Sequence, residues 1–348
     1  MIFNLENLVR ENIKRLTPYS SARSEFSGAA QIYLDANENS FGSPLGENYH
    51  RYPDPLQTEI KRVISVRQNV ETDQIFLGNG SDEAIDLLFR IFCEPRSDNV
   101  LICPPTYGMY AVSAAINAVE TKRAALTKDF RLDFQAIENQ IDARTKLLFI
   151  CSPNNPTGNS FPREEILQLI ESFGGIVVVD EAYIHFSRSE SLVSEINRFR
   201  NLVVLQTFSK AWGLAGARVG VAFAAAETIA LFNRVKPPYN ISQPAQEAIL
   251  RAFDSGAKVE ETIAEIVSER EKLIEKLSEI SRIEEIYPTD ANFVLVKTAE
   301  AEKIYRFLLD EKIVVRDRSR VELCAGCLRI TVGTPEENES LLRALKKL

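Results

Sequence analysis

Lys210 is the residue whose position in this sequence most clearly predicts covalent chemistry. It ends the segment NLVVLQTFSK (201–210), whose apolar run predicts a buried strand. A lysine usually extends into solvent as a charged ammonium, but one at the end of a buried strand loses hydration, which favours its neutral form. A neutral amine is a nucleophile that forms an imine with an aldehyde. We therefore predict that Lys210 binds an aldehyde covalently.

Asp180, Tyr183 and Asn155 carry polar groups that suit the same chemistry. Asp180 ends another apolar run, and its carboxylate could pair with a protonated pyridine nitrogen, although such an Asp more often forms a turn or a helix cap. Tyr183 follows three residues later, and Asn155 lies in a Pro-, Asn- and Gly-rich segment that could equally be a plain turn. Both could donate hydrogen bonds to a phenolic ring oxygen. Together with Lys210, they predict a site for pyridoxal phosphate.

The segment GNGSDE (78–83) predicts a cradle for the phosphate of this cofactor. It lies between a predicted strand and a predicted helix, so backbone N–H groups at the start of the helix can point at an anion. A dinucleotide-binding loop is the alternative, but Glu83 stands where its third glycine belongs, and GxG alone is weak evidence. The residues expected in the cradle, beside Lys210 and over the ring are Gly80, Ser81, Asp82, Thr207, Ser209, Arg218 and Tyr107.

Short apolar runs alternate with helical segments between about residues 60 and 225, which predicts an α/β layer with buried, mostly parallel strands. Functional groups gather beyond the carboxyl ends of the strands in such sheets, and each motif above lies at such an end. A long helical stretch over 243–281 then precedes short strands. We predict a large α/β domain over residues 46–240 and a smaller α+β domain over 241–348, to which residues 1–45 contribute an arm.

The composition limits the kinds of partner. Hydrophobic residues make up 45% of the 348 residues and charged residues 26%, as in an ordinary soluble protein. The net charge of −8, without a basic block, argues against nucleic acid or an anionic membrane surface as the partner. No apolar stretch is long enough for a membrane span, and the mixed-charge start of the chain does not resemble a secretory signal. We therefore expect a cytoplasmic protein.

Metal binding is not expected from the cysteines and histidines. The chain has five cysteines and two histidines, and Cys324 and Cys327 form a single CxxC without a second pair. A structural zinc site needs four such ligands in matched spacing. Incidental thiols of a reducing compartment are the simplest interpretation, with a redox pair as the alternative.

The motifs, taken in order, resemble the fold-type I family of pyridoxal-phosphate enzymes, and among them the histidinol-phosphate aminotransferases. The resemblance covers nearly the whole chain, and its first and last motifs narrow it to this subfamily. The family implies a mostly parallel seven-stranded sheet between helices, a smaller α+β domain and a homodimer. The motifs are LTPYSSAR (16–23), LDANENSFG (34–42), RYPDP (51–55), GNGSDE (78–83), CPPTYGMY (103–110), CSPNNPTG (151–158), VVDEAY (178–183), TFSKAWGLAGARVG (207–220) and CLRITVGT (327–334).

The resemblance also implies a role for each matching residue. Lys210 would carry the cofactor as a Schiff base and shuttle protons. Arg329 would hold the anionic end of the substrate, and Tyr52 would reach the cofactor phosphate of the neighbouring subunit. The remaining substrate contacts that the resemblance implies are Tyr19 and Asn37, which close over the substrate, and Arg316, a further phosphate contact.

The expected reaction moves an amino group reversibly from L-glutamate to imidazole-acetol phosphate, giving L-histidinol phosphate and 2-oxoglutarate, in histidine biosynthesis. One arginine can serve both substrates because both present an anion. An aminotransferase for aromatic amino acids and a phosphothreonine decarboxylase of the cobalamin pathway would share every cofactor residue, and both stay open. A transcription regulator of the same fold would need a longer N-terminal region, and a nicotinamide dehydrogenase leaves Lys210 and Asp180 unexplained.

Overall fold

Seven strands form one sheet in the computed structural model, which describes residues 3–19 and 31–348. Neighbouring strands of this sheet are parallel except for Val219–Ala224, which runs antiparallel to both of its neighbours. The predicted α/β class and mostly parallel seven-stranded sheet are therefore confirmed. In sheet order the strands are β1 (Ile75–Asn79), β7 (Val219–Ala224), β6 (Leu202–Thr207), β5 (Ile176–Asp180), β4 (Thr145–Cys151), β2 (Asn99–Ile102) and β3 (Glu120–Arg123).

The central strands are apolar because both of their faces are covered. Along β5, Val177 and Val179 belong to one hydrophobic cluster and Val178 to another, as the alternation of side chains along a strand requires. This burial on two sides explains the continuous Val, Ile and Leu runs of the sequence. The first cluster receives α3 (Thr58–Gln68), α6 (Phe134–Gln140), α7 (Arg163–Ser172) and α9 (Gln243–Asp254), and the second receives α4 (Ser81–Phe92), α5 (Met109–Ile116) and α8 (Ala226–Val235).

A second sheet, of four antiparallel strands, lies in the C-terminal part of the chain. Its helices pack on it around a separate hydrophobic cluster, in the α+β arrangement expected there. The domain boundaries drawn from the sequence stay predictions. The sheet order is β10 (Arg316–Asp317), β11 (Cys327–Thr331), β9 (Phe293–Lys297) and β8 (Glu285–Ile286), and the helices are α10 (Gly256–Ser278), α11 (Ala301–Asp310) and α12 (Pro335–Lys346).

Three elements differ from what the sequence pattern predicts. The long helical stretch over 243–281 is two helices, α9 and α10, which meet at Ser255. Strand β3 escapes prediction because its sequence, ETKR, has no apolar run; it lies at the edge of the sheet, where burial is incomplete. Helix α12 also escapes prediction, although Thr334 and Glu337 form a capping box at its start.

The first described residues of the N-terminal arm, over 3–14, attach to the larger sheet. Val9 lies between the two short helices of the arm, and Ile13 lies in the second. Both side chains belong to the hydrophobic cluster that contains the side chains of α4. The Arg10 guanidinium binds the Glu94 carboxylate at 3.0 Å, just beyond α4. These contacts differ from the expected attachment of the arm to the smaller domain, because α4 is the surface that covers its apolar side chains. The two helices are α1 (Leu5–Leu8) and α2 (Glu11–Lys14).

Residues 20–30 lie outside the described residues, and with them half of the motif at 16–23. In the part of the chain that the structure describes, no helix is both long enough and apolar enough to cross a membrane. That part also brings together no group of three or more His, Cys, Asp or Glu side chains able to hold a metal ion. Cys324 and Cys327 are buried free thiols.

Strand β7 packs closely against the start of helix α4. A Cβ on Gly220 would lie 2.2 Å from the backbone nitrogen of Ser81. Gly80 precedes the helix with a φ of +76°, a conformation that favours glycine. Its N–H donates to the Arg218 carbonyl at 2.7 Å. These contacts hold the N-terminus of α4 beside the segment that carries Arg218.

Gly220→Ala is expected to destabilise the protein, because the added methyl group would collide with backbone atoms of Gly80 and Ser81. Overpacking of this kind costs about 1–3 kcal/mol, so the free energy of unfolding measured with a denaturant should fall by that amount. Gly216→Ala is the matched control, since no atom lies within 4 Å of the position of its Cβ. Equal stability of the two variants would contradict the close packing described here.

Candidate active site

A cavity of about 750 Å³ lies at the carboxyl edge of the larger sheet. Strands β1, β2, β4, β5 and β6 all end at it, because parallel strands expose their carboxyl ends at one edge. The smaller sheet contributes side chains from β10 and β11, so the cavity lies between the two sheets. The cavity gathers most of the residues singled out from the sequence, namely Gly80, Ser81, Asp82, Tyr107, Asn155, Asp180, Tyr183, Thr207, Ser209, Lys210, Arg218, Arg316 and Arg329.

Asp180 is a buried carboxylate at the end of the central strand β5. It is only 3% exposed. The Tyr110 hydroxyl donates to one carboxylate oxygen at 2.7 Å, and the Ala182 N–H donates to the other at 3.1 Å. Burial raises the pKa of this carboxyl, while the two hydrogen bonds act in the opposite direction. A buried charge is costly without an opposite charge beside it, so Asp180 suits a protonated ring nitrogen.

A chain of hydrogen bonds joins Arg329, Asn155 and Tyr183. An N–H of the Arg329 guanidinium donates to Asn155 Oδ1 at 2.5 Å, and Asn155 Nδ2 donates to the Tyr183 hydroxyl at 3.3 Å. Burial raises the pKa of Tyr183, so the phenol stays a neutral donor. The bond from Arg329 holds the amide of Asn155 with its NH2 group towards Tyr183. In this orientation both side chains can donate to one phenolic oxygen.

Lys210 lies beside Tyr183, with its nitrogen 5.7 Å from the centre of the tyrosine ring. Partial burial lowers the pKa of this amine, and the positive charge of Arg329 lowers it further, whereas the carboxylate of Asp180 raises it. A lower pKa enlarges the neutral, nucleophilic fraction of the amine at a given pH. The surroundings of Lys210 therefore favour the chemistry that its place in the sequence predicts.

The start of α4 has the form expected of a phosphate cradle. The first N–H groups of any helix, here including those of Ser81 and Asp82, have no acceptor within the helix. The Arg218 guanidinium donates to the Ser209 hydroxyl at 3.5 Å and lies 3.9 Å from one carboxylate oxygen of Asp82. The Tyr107 hydroxyl donates to the other oxygen of Asp82 at 3.1 Å. Backbone N–H groups, a guanidinium group and hydroxyl groups therefore lie around the space at the N-terminus of α4.

These groups fit pyridoxal phosphate. Gly80 keeps the cradle open, because a Cβ there would lie 2.9 Å from the Arg218 guanidinium. A phosphate would meet N–H, hydroxyl and guanidinium donors, and an aldehyde would meet the amine of Lys210. A protonated ring nitrogen would meet the carboxylate of Asp180.

The cavity is positively charged although the protein as a whole carries a net charge of −8. Its wall has more basic than acidic side chains, and such an excess attracts anions. The ligands are therefore expected to be anionic. The basic residues are Arg123, Lys210, Arg218, Arg316, Arg318, Arg320 and Arg329, and the acidic ones are Asp82, Asp180 and Glu322.

Four functional residues are not predicted from the sequence: three arginines of the cavity wall and one tyrosine that donates a hydrogen bond to Asp180. Tyr110 lies within the quoted motif CPPTYGMY, but nothing in the motif shows that it reaches the Asp180 carboxylate. Arg123 ends the polar edge strand β3 and carries no sequence signal. Arg318 and Arg320 alternate with Arg316 in the segment RDRSR, and that alternation is the signal that could have found them.

Tyr19, Asn37 and Tyr52 lie outside the cavity of this chain. Tyr19 is 78% exposed, and Asn37 is also exposed, with a φ of +55°. Tyr52 is 51% exposed and stacks on Tyr239, with the ring centres 4.5 Å apart. The roles predicted for these residues, with the substrate and in the neighbouring subunit, stay predictions.

Residues 33–345 match the family model described as Aminotransferase class I and II. Over 346 residues, 99% of each chain, the protein is 49% identical to the histidinol-phosphate aminotransferase of Cytophaga hutchinsonii. Over 345 residues, again 99% of each, it is 50% identical to the histidinol-phosphate aminotransferase of Parabacteroides distasonis. The crystal structure of the histidinol-phosphate aminotransferase from Clostridium acetobutylicum is similar, with a TM-score of 0.79, 28% identity, and coverage of 86% of this chain and 91% of that one.

The charges around Lys210 lead to a prediction about pH. Arg329→Gln removes a cation that lowers the pKa of Lys210, and Asp180→Asn removes an anion that raises it. The rate at which the apoprotein captures pyridoxal phosphate should follow the neutral fraction of the amine. Its pH profile, measured by borohydride trapping and mass spectrometry, should therefore move to higher pH in Arg329→Gln and to lower pH in Asp180→Asn. Shifts of both variants in the same direction would exclude this electrostatic control.

Proposed function

This chain belongs to the class I and II aminotransferases, and we propose that it moves an amino group between L-glutamate and imidazole-acetol phosphate, giving L-histidinol phosphate and 2-oxoglutarate. The observation that carries the proposal is the hydrogen-bonded chain of Arg329, Asn155 and Tyr183 beside Lys210 in a positively charged cavity. These hydrogen bonds connect Tyr183, which lies beside the amine of Lys210, to the Arg329 guanidinium, which can hold an anion. Relatives of nearly 50% identity along the full length support the choice of substrate.

The enzyme depends on pyridoxal phosphate, whose protonated ring takes up the electron pair left when a substrate C–H bond loses its proton. We assign to Lys210 the covalent attachment of the cofactor and the movement of the proton at the substrate's α-carbon. Asp180 keeps the ring nitrogen protonated, and its burial makes that pairing strong. Asn155 and Tyr183 hold the phenolic oxygen.

The other residues of the proposed site bind the phosphate of the cofactor, cover its ring or bind the substrate. The helix start and its neighbours hold the cofactor phosphate, and Tyr107 covers the ring. Arg329 holds the anionic end of both substrates, because the planar fork of a guanidinium matches a carboxylate and a phosphate alike. Its burial strengthens this contact, since water competes less for its N–H groups. The cradle residues are Gly80, Ser81, Asp82, Thr207, Ser209 and Arg218, and the further substrate contacts are Tyr19, Asn37 and Arg316.

The substrate assignment is tested by single-turnover absorbance changes of the bound cofactor. L-Histidinol phosphate should react faster than L-phenylalanine at equal concentration, and 2-oxoglutarate should restore the starting spectrum. Lys210→Ala is the control, because it should lose both the reaction and the borohydride-reducible link to the cofactor. A preference for phenylalanine would instead favour an aromatic aminotransferase, and release of CO2 from O-phospho-L-threonine would favour a decarboxylase.

We also propose that the enzyme is a homodimer whose active sites are shared. Tyr52 lies in RYPDP, where Pro53 and Pro55 favour an extended backbone. The Tyr52 ring is half exposed and outside the cavity of its own chain. An exposed aromatic ring held by stacking on Tyr239 is available to a second subunit.

Sharing of the sites predicts recovery of activity in mixed dimers. Lys210→Ala and Tyr52→Ala should each be inactive or nearly so, but a hybrid dimer carries both lesions in one site and neither in the other. Mixing the two variants under conditions that exchange subunits should therefore restore part of the activity. Full activity of Tyr52→Ala alone, or dead hybrids that gel filtration shows to be stable dimers, would exclude this role.

A further inference from the structure

Three arginines on one wall of the cavity have no acidic partner among the described residues. Arg316, Arg318 and Arg320 line the cavity from the smaller sheet and the turn after it. Over residues 3–19 and 31–348, no carboxylate lies within salt-bridge distance of their guanidinium groups, whereas arginines elsewhere, such as Arg163 and Arg198, bind Glu195. The pairing of arginine with acid, common on this surface, is missing on this wall.

The strand register concentrates this charge. Arg316 of β10 lies directly opposite Arg329 of β11 in an antiparallel pair, so both side chains project from the same face. Like charges in that relation are destabilising. Arg318 follows two residues later, on the same side of an extended backbone, and its N–H donates to the Cys327 carbonyl at 2.9 Å. The guanidinium groups of Arg316, Arg318 and Arg329 therefore lie on the same side of the cavity.

Arg318 differs from Arg316 and Arg320 because it is partly buried. The Nε atoms of Arg318 and Arg329 are buried without an acceptor among the described residues, and so is the hydroxyl of Ser319. A buried donor without an acceptor costs about 1–3 kcal/mol. Folding has thus left two guanidinium groups on the cavity wall, each with a buried and unpaired N–H.

The surroundings of Arg318 separate it from the cofactor cradle. The neighbouring groups that influence the pKa of Arg318 are Arg316, Cys324, Tyr183 and Asp317. Arg318 in turn lowers the pKa of Arg329. The cradle is instead built around Arg218, Ser209 and the start of α4. An anion at Arg318 would therefore belong to the substrate.

We propose that Arg318 is a further specificity-determining residue, which holds the phosphate monoester of the substrate together with Arg316 and Arg329. This inference rests on the proposed function, in which one substrate carries a phosphate and the other only carboxylates. Arg329 alone can neutralise a single carboxylate, whereas a phosphate dianion has room and charge for a second guanidinium fork. Arg318 thus favours the phosphate-bearing substrate over the dicarboxylate.

The test compares the two half-reactions of the holoenzyme in single turnover. Arg318→Gln should lower the second-order rate constant for L-histidinol phosphate about 10- to 100-fold, the range for loss of a buried charged hydrogen bond. The constant for L-glutamate should change less than about 3-fold, the size of a small surface effect. Arg318→Lys keeps the charge without the fork, so it should recover part of the loss. Arg188→Gln, at an arginine that is 95% exposed, is the matched control and should alter neither constant.

Inorganic phosphate separates this proposal from the proposed function. It should inhibit the L-glutamate half-reaction of the wild-type enzyme competitively, and Arg318→Gln should weaken that inhibition about 10-fold or more. Unchanged inhibition in Arg318→Gln and Arg318→Lys, or equal losses in both half-reactions, would overturn the role of Arg318. A wild-type enzyme that ignores histidinol phosphate, but whose phosphate inhibition still depends on Arg318, would refute the substrate and support the anion site.

Discussion

The burial of one carboxylate organises the rest of this site. Asp180 ends the middle strand of a seven-stranded sheet, with β6 and β4 on either side. A charge in that position must be met by hydrogen bonds and by an opposite charge, because the surrounding side chains exclude water. The Tyr110 hydroxyl and the Ala182 N–H supply the hydrogen bonds. In the function proposed here, a protonated cofactor ring would supply the opposite charge, so the same burial that penalises the free carboxylate would favour the bound cofactor.

The arginines of the protein divide into two groups with different physical roles. Most of those on the surface pair with acidic side chains, as Arg10 does with Glu94, and such exposed pairs contribute little to stability. Among the described residues, the cavity-wall arginines of the segment RDRSR (316–320) lack such partners, and Arg329 binds a neutral amide. Their mutual repulsion is a cost to the folded state that a bound anion removes. An acidic protein can therefore bind anionic substrates without a general positive field.

A buried lysine links the segment that carries Tyr52 to the first turn of α4. Lys236 donates to the Pro55 carbonyl at 2.8 Å and to Asn240 Oδ1 at 3.0 Å. Asn240 in turn donates to the Glu83 carboxylate at 2.9 Å. Lys236 is only 8% exposed, and this burial lowers its pKa to about 8. The exposed aromatic segment and the cradle are thus held in one hydrogen-bonded unit.

The sequence by itself determined the sheet class, the cofactor and the residues at the strand ends. Apolar runs that end in Lys210, Asp180 or the segment around Asn155 have one place in a parallel sheet, because all carboxyl ends meet at the same edge. The tertiary structure alone decided which side chains complete the site. Tyr110 reaches Asp180 only through the packing of α5, and Arg316 faces Arg329 only through the register of β10 on β11. It also decided that the N-terminal helices lie on α4. Such contacts join residues far apart in the chain, and no local pattern encodes a distance between them.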